Sequence, residues 1–156
     1  MTIEKCVTDC FFDNKVKRWV AVEANSVSIR SVKLFEQRSG EESITLPVTC
    51  DLQRYFTGEN VDFSSYDVDL SGFTSFQREV LTATRSVHRG TCITYSQLAG
   101  MVGRPKAVRA VGNVLGLNRV PVIIPCHRIV SKHGPGGYSL GVGLKLELLR
   151  LESIEF

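Results

Sequence analysis

The chain has 156 residues, 43% of them hydrophobic and 22% charged, enough to bury a core as one domain or as two small ones. No apolar run approaches the roughly 18 residues of a membrane span, and Met1-Thr2-Ile3-Glu4-Lys5 lacks the apolar core of a secretory signal. The net charge of +3 is unevenly placed: residues 1–71 hold 8 Lys/Arg against 12 Asp/Glu, a net −4, and residues 72–156 hold 11 against 4, a net +7. That asymmetry points to a polyanion, nucleic acid above all, as partner of the second half; a solvated basic face is the plainer alternative.

The five cysteines are Cys6, Cys10, Cys50, Cys92 and Cys126. An odd count without a signal peptide argues for reduced thiols in the cytoplasm, or in a nucleus if the cell has one. Cys6 and Cys10 have the spacing to start a metal motif, but no second close pair follows and His88 and His133 stand alone, so no metal is expected.

In chain order, Phe11 to Phe35 is strand-like: Trp19-Val20-Ala21-Val22, a polar break from Glu23 to Asn25, then apolar positions at Val27, Ile29 and Val32, the pattern of a hairpin with one buried face. Gln37 to Glu42, with Gly40, reads as a loop. Pro47 to Phe56 predicts a short helix, its apolar Val48, Leu52, Tyr55 and Phe56 at helical spacing and Gly58 as its stop. Asn60 to Asp69 is an acidic connector, and nothing in this half carries recognisable chemistry. From Ser71 the texture changes. Thr74 or Ser75 can cap a helix over about Phe76 to Val87 with Val80, Leu81 and Ala83 inward, ended by Arg89-Gly90. Thr94 precedes a second helix, Tyr95 to Met101, stopped by Gly103; Pro105 then sits in the expected first turn of a third, running to about Leu117.

On a wheel of about 100° per residue, the third helix turns Ala107, Val108, Val111, Val114 and Leu115 to the core and Lys106, Arg109, Gly112, Asn113 and Gly116 outward. An interior glycine costs about 1 kcal/mol relative to alanine. Two on a cationic face make sense where something large approaches the backbone closely. Two helices joined by Gly103-Arg104 form a helix-turn-helix, whose second helix docks on DNA, or an αα-hairpin with incidental charge.

The apolar run from Val120 ends in Ile124-Pro125-Cys126-His127-Arg128-Ile129-Val130, read as strand-like flanks around a polar centre, with regular pairing stopped by Pro125. A cysteine beside a histidine is the minimum for an activated sulfur nucleophile, because the thiolate attacks; a buried, inert thiol is the ordinary alternative. Gly134 to Gly143 is a glycine-rich loop that matches no phosphate-binding pattern and reads as a substrate-covering loop or a surface turn. Lys145 to Ser153 closes the chain as an amphipathic helix bearing Leu146, Leu148, Leu149 and Leu151, with Glu147 or Glu152 as a candidate inward carboxylate.

In this order, Phe76-Gln77, Ile93-Thr94-Tyr95-Ser96-Gln97-Leu98-Ala99, Lys106-Ala107-Val108-Arg109-Ala110-Val111-Gly112, Pro125-Cys126-His127-Arg128-Ile129-Val130, Gly137-Tyr138-Ser139 and Lys145 to Glu152 closely resemble the O6-alkylguanine-DNA alkyltransferases, also called methylated-DNA–protein-cysteine methyltransferases. The resemblance is close over residues 73–153 and extends to the first half only in size and layout. It implies an α+β protein: a ribonuclease H-like α/β scaffold domain over 1–70, then a mostly helical, winged-helix-like helix-turn-helix domain over 71–156 that binds DNA and holds the active site. It implies that Cys126 accepts the alkyl group, that His127 takes the thiol proton through a water, that Glu152 orients His127, and that Asn118 braces the site. Arg109 would fill the gap left by a flipped nucleotide that Tyr95 helps rotate outward, a step required because the alkyl carbon is inaccessible in a stacked duplex. Tyr138 and Ser139 would cover the extruded base, with Ile129 beneath it. Lys106, Ala110, Gly112 and Asn113 would lie on the helix that meets the minor groove.

The implied function is stoichiometric DNA repair by a monomer, without cofactor: O6-alkylguanine in double-stranded DNA, with O4-alkylthymine as a further candidate, gives its alkyl group to Cys126 and the protein is consumed. No S-adenosylmethionine-binding pattern is present. The main alternative is an alkyltransferase-like protein that binds damage without transfer; a thiol hydrolase is more distant. Three departures stand out: Arg119 where the family usually has proline, Leu140 where glycine is common, and first-half cysteines and histidines that do not reproduce the zinc ligands of some relatives.

Overall fold

A computed structural model describes residues 5–37 and 42–156, and divides the chain into two compact units, Met1–Asp69 and Leu70–Phe156. Most of the loop expected over Gln37 to Glu42 lies outside the described residues.

The first unit is a three-stranded antiparallel sheet, β1 (Val7–Asp13), β2 (Arg18–Ala24) and β3 (Ile29–Phe35) in the order β1-β2-β3, joined by helix α1 (Pro47–Phe56). The strand pattern therefore begins earlier than expected, and a first hairpin precedes the one read from the sequence. Asp13 turns it, its Oδ1 accepting from the N–H groups of Lys15 and Val16. Asn25 does the same for the second hairpin, accepting from Val27 and Ser28. Val27 is thus an exposed turn residue and not part of the buried face. Ile29 and Val32 are both buried although three apart, because the pairing slips between Glu23 and Ala24 and leaves Arg30 as an extra residue. Helix α1 has the expected bounds, and Val48, Leu52, Tyr55 and Phe56 are all buried. Its N-cap, Leu46, has no capping side chain. Asp9, fully buried on β1, supplies one: its carboxylate accepts from the N–H of Thr45 and Leu46 and from the hydroxyls of Thr45 and Thr49, at 2.6–2.9 Å.

In the second unit, α2 (Ser75–Arg85), α3 (Tyr95–Met101) and α4 (Val108–Gly116) pack on one another. Capping boxes start α2 and α3, Thr74 exchanging bonds with Gln77 and Thr94 with Gln97. Helix α2 ends two residues before the predicted end, and Thr84 is the buried position where Ala83 was expected. Helix α4 starts later than predicted. The N–H of Ala107 bonds to the carbonyl of Arg104, so Pro105 occupies the second position of a β-turn and is not in a helical first turn. Val111, Val114 and Leu115 are buried as expected, but Val108, now at the helix start, is exposed.

The apolar stretch from Val120 does not form a strand. Its residues are buried in tight turns, with Val122 at φ +72° and the N–H of Ile124 returning to the carbonyl of Val120. A continuous apolar run reports burial, not extension. Cys126–Arg128 form a single 3₁₀ turn, and only β5 (Ile129–Val130) is extended, pairing in parallel with β4 (Ile93–Thr94). Helix α5 spans Val142–Leu151, three residues earlier than predicted, because Gly141 at φ +96° supplies the reversal that opens it. Among the described residues no helix is long and apolar enough to cross a membrane.

Candidate active site

Cys126 is 6% exposed at the start of the 3₁₀ turn. Pro125 (φ −81°, ψ +63°) makes the inverse γ-turn that delivers it, closed by the Cys126 N–H on the carbonyl of Ile124 at 2.8 Å. Asn118, just past α4, braces the same spot: its Nδ2 donates to Cys126 Sγ at 3.1 Å and to the Ile124 carbonyl at 2.9 Å, and its Oδ1 accepts from the Val120 N–H. The Tyr138 hydroxyl lies 3.9 Å from the sulfur. Burial pushes the Cys126 thiol up, while its hydrogen bonds with Asn118 and Tyr138 and the Lys145 charge pull the other way without overcoming it. The resting sulfur is therefore a thiol that needs a base.

The next residue is a histidine. His127 is fully buried, with Nε2 2.8 Å from Glu152 Oε1. Arg128 grips the same carboxylate with two bonds of 2.9 Å, Nε to Oε2 and NH2 to Oε1, and its NH1 donates to the Val87 carbonyl. The Gly90 N–H adds a bond to Oε2. Burial alone would raise the Glu152 pKa; the bonds from His127 and Arg128 hold the carboxyl well below its ordinary range. Burial dominates at His127 and lowers its pKa despite Glu152, so the imidazole is neutral at pH 7 and Arg128 is the charge that keeps Glu152 ionised. An ionised carboxylate only accepts, which puts the ring proton on Nε2 and leaves Nδ1 as the basic nitrogen.

Beyond Arg128, one further residue escaped assignment from the sequence. Lys145, on α5, is fully buried, and its Nζ donates to the carbonyls of Ile129 (2.6 Å) and Gly137 (3.1 Å). It faces the rings of Tyr95 and Tyr138 at 5.8 and 5.9 Å. Burial lowers its pKa to about 8. The signal was its place on the inward stripe of α5, in helical register with the buried Leu148, Leu149 and Glu152.

Tyr95, Gly112, Cys126, Tyr138 and Ser139 share the lining of a pocket of about 270 Å³. The Tyr95 hydroxyl donates to the Gly137 carbonyl, and Gly136, at φ +73°, has no room for a side chain, since a Cβ would come within 3.0 Å of the Tyr95 ring. Asn118, His127 and Glu152 do not line the pocket, and Asn118 reaches it through its bond to Cys126 Sγ. Ile129 is buried and meets the site through its carbonyl on Lys145, outside the pocket lining. Lys106, Arg109, Ala110 and Asn113 are exposed on or just before α4 and do not line the pocket. Among the described residues no cluster of His, Cys, Asp or Glu has the makings of a metal site; Cys10 is buried and Cys6 accepts a hydrogen bond from Arg30.

Residues 75–154 match the family model described as "6-O-methylguanine DNA methyltransferase, DNA binding domain". The chain belongs to the methylated-DNA–protein-cysteine methyltransferase family. It is 46% identical over 101 residues to a probable methylated-DNA–protein-cysteine methyltransferase of Acanthamoeba polyphaga mimivirus, covering 65% of this chain and 67% of that protein. It is 37% identical over 140 residues to the methylated-DNA–protein-cysteine methyltransferase of Shigella flexneri, covering 85% and 81%. The α+β fold of the family is likewise shared: the crystal structure of Mycobacterium tuberculosis OGT in complex with DNA superposes with a TM-score of 0.78 at 28% identity, covering 93% of this chain and 91% of that one.

Proposed function

We propose that this protein repairs DNA by moving the alkyl group of O6-alkylguanine onto Cys126 in one irreversible turnover, as a methylated-DNA–protein-cysteine S-methyltransferase. The observation that carries the reading is a buried cysteine braced by Asn118 at 3.1 Å, opening on a pocket and backed by the His127–Glu152–Arg128 cluster. His127 Nδ1, through a water, takes the thiol proton. The sulfur then attacks the alkyl carbon as the carbon–O6 bond breaks, and the bond pair leaves with the guanine, which is restored when it takes up a proton. The product thioether has no route back to a thiol, so the protein is the consumed reagent. Thymine carrying an O4-alkyl group presents the same kind of carbon and is a second substrate on this chemistry.

The approach to DNA follows from the exposed α4. Its small and cationic face, with Arg109, Ala110, Gly112 and Asn113 and with Lys106 in the turn just before it, suits a minor groove, and Arg109 fills the space of a nucleotide that Tyr95 helps turn out. Tyr138 and Ser139 cover the extruded base. In this reading the protein acts as a monomer in the cytoplasm or nucleus, the first unit is a ribonuclease H-like scaffold and the second a winged-helix-like reader. Intact mass after incubation with a duplex carrying O6-methylguanine tests it. One methyl group on Cys126, absent from Cys126→Ser, supports transfer. Unmodified protein that binds tightly indicates a damage-binding module, and unmodified protein with repeated turnover indicates a hydrolase.

A further inference from the structure

The aim of the Asn118 amide at Cys126 depends on its other two bonds, from Nδ2 to the Ile124 carbonyl and to Oδ1 from the Val120 N–H. The second closes an Asx-turn whose middle residue is Arg119. The backbone torsions of Arg119 therefore decide whether the Val120 N–H reaches Oδ1, and with it where the amide points. Arg119 is exposed and neither β-branched nor a proline, so nothing in its own backbone restricts that turn.

Its side chain does. The guanidinium carbon lies 4.6 Å from the ring centroid of Phe73. Phe73 is itself held: it is 7% exposed, its N–H bonds to the Leu70 carbonyl, and the next residue is Thr74, whose capping box starts α2. Gly72 completes the berth. A Cβ there would come within 2.9 Å of one guanidinium nitrogen and 3.7 Å of the central carbon, so the glycine leaves the space in which the guanidinium lies. Three consecutive residues, Gly72 for room, Phe73 for the face and Thr74 for the anchor, thus receive one arginine.

We propose that Arg119 is a positioning residue for the sulfur nucleophile: its guanidinium, stacked on Phe73, ties the Asx-turn to the start of α2 and so keeps the Asn118 amide on Cys126 Sγ. This rests on Cys126 being the alkyl acceptor. An exposed cation–π contact corresponds to about a two- to fivefold change in an equilibrium. Because the Asn118 bond favours the thiolate, loosening it moves the thiol titration upward by about 0.3–0.7 pH units for that range.

The test is the pH dependence of Cys126 modification by a small disulfide reagent, with DNA absent, in wild type, Arg119→Gln, Phe73→Leu and the double variant, each in a background with the other four cysteines replaced by serine or alanine. Single-turnover rates on O6-methylguanine duplex and thermal unfolding are measured alongside. Arg119→Gln is expected to shift the titration upward and slow transfer about two- to fivefold, with unfolding nearly unchanged. The double variant should lose no more than the larger single loss. A titration of Arg119→Gln that superimposes on wild type overturns the proposal, as do losses that multiply in the double variant. Arg119→Gln, on an exposed residue, carries the test by itself should Phe73→Leu fail to fold. A wild type that leaves alkylated DNA unrepaired would defeat the transfer reaction and the role of Arg119 with it, whereas intact repair with superimposed titrations overturns the role of Arg119 alone.

Discussion

Replacing Glu152 by glutamine probes the cluster that joins His127 and Arg128. The carboxylate is fully buried and receives the His127 ring, two donors from Arg128 and the Gly90 N–H. Glutamine keeps the shape but presents an NH₂ where an oxygen met a donor, and it leaves the Arg128 guanidinium, with 11% side-chain exposure, without its counter-charge. Removing one partner of a buried pair costs about 3–5 kcal/mol. For a chain of this size each kcal/mol is worth about 2–4 °C, so the melting temperature should fall on the order of 10 °C. The sign with pH follows from both pKa values lying below their ordinary 4.5 and 6.5. In each case the unfolded chain binds a proton that the folded one refuses. The His127 contribution is complete above pH 6.5 and erodes below it; the Glu152 contribution is complete above pH 4.5 and erodes below that. Wild type should therefore lose stability more steeply than Glu152→Gln below pH 4.5. Urea unfolding across the acid range measures both. A difference under about 1 kcal/mol at pH 7, with parallel acid slopes, would refute the view that an ion pair organises the site.

Three further expectations concern other parts of the molecule. Arg109→Ala should slow repair of duplex lesions far more than reaction with the free modified base, and equal losses on both in single-turnover assays would rule out a nucleotide-replacing role. Leu140 follows the pocket-lining Ser139 and is 38% exposed, so O6-benzylguanine should react poorly relative to the methyl adduct and Leu140→Gly should narrow the gap; comparable rates in wild type and no gain in the variant count against it. Asp9→Ala leaves two backbone N–H groups and two hydroxyls at the start of α1 without their acceptor, at a cost of about 3 kcal/mol. Fluorescence of Trp19, the single tryptophan, reports this on urea unfolding, and an unchanged midpoint would show that water replaces the carboxylate.

The elements legible in advance were those specified by neighbours three or four residues apart. Helices α1 and α3 fall where they were expected because their apolar periodicity and flanking signals are local, and Thr94 meets Gln97 within one turn. The linear motif around Cys126 likewise carries its chemistry on consecutive residues, so the family could be named from it. What the sequence could not settle was every feature resting on distant partners. The buried run from Val120 reads as a strand by composition but turns, because Asn118 and Val120 capture the backbone groups that a neighbouring strand would have taken. Arg128 and Lys145 look like surface charges until folding supplies Glu152, Val87, Ile129 and Gly137, residues up to 41 positions away. Asp9 shows no sign of capping a helix 38 residues further on. Burying a charge is costly unless partners meet it, and those partners are assembled only by the tertiary fold. The sequence by itself pointed to Cys126 through its neighbours in the chain; the tertiary structure decided what surrounds that sulfur, because Asn118, Tyr138 and Glu152 come together only on folding.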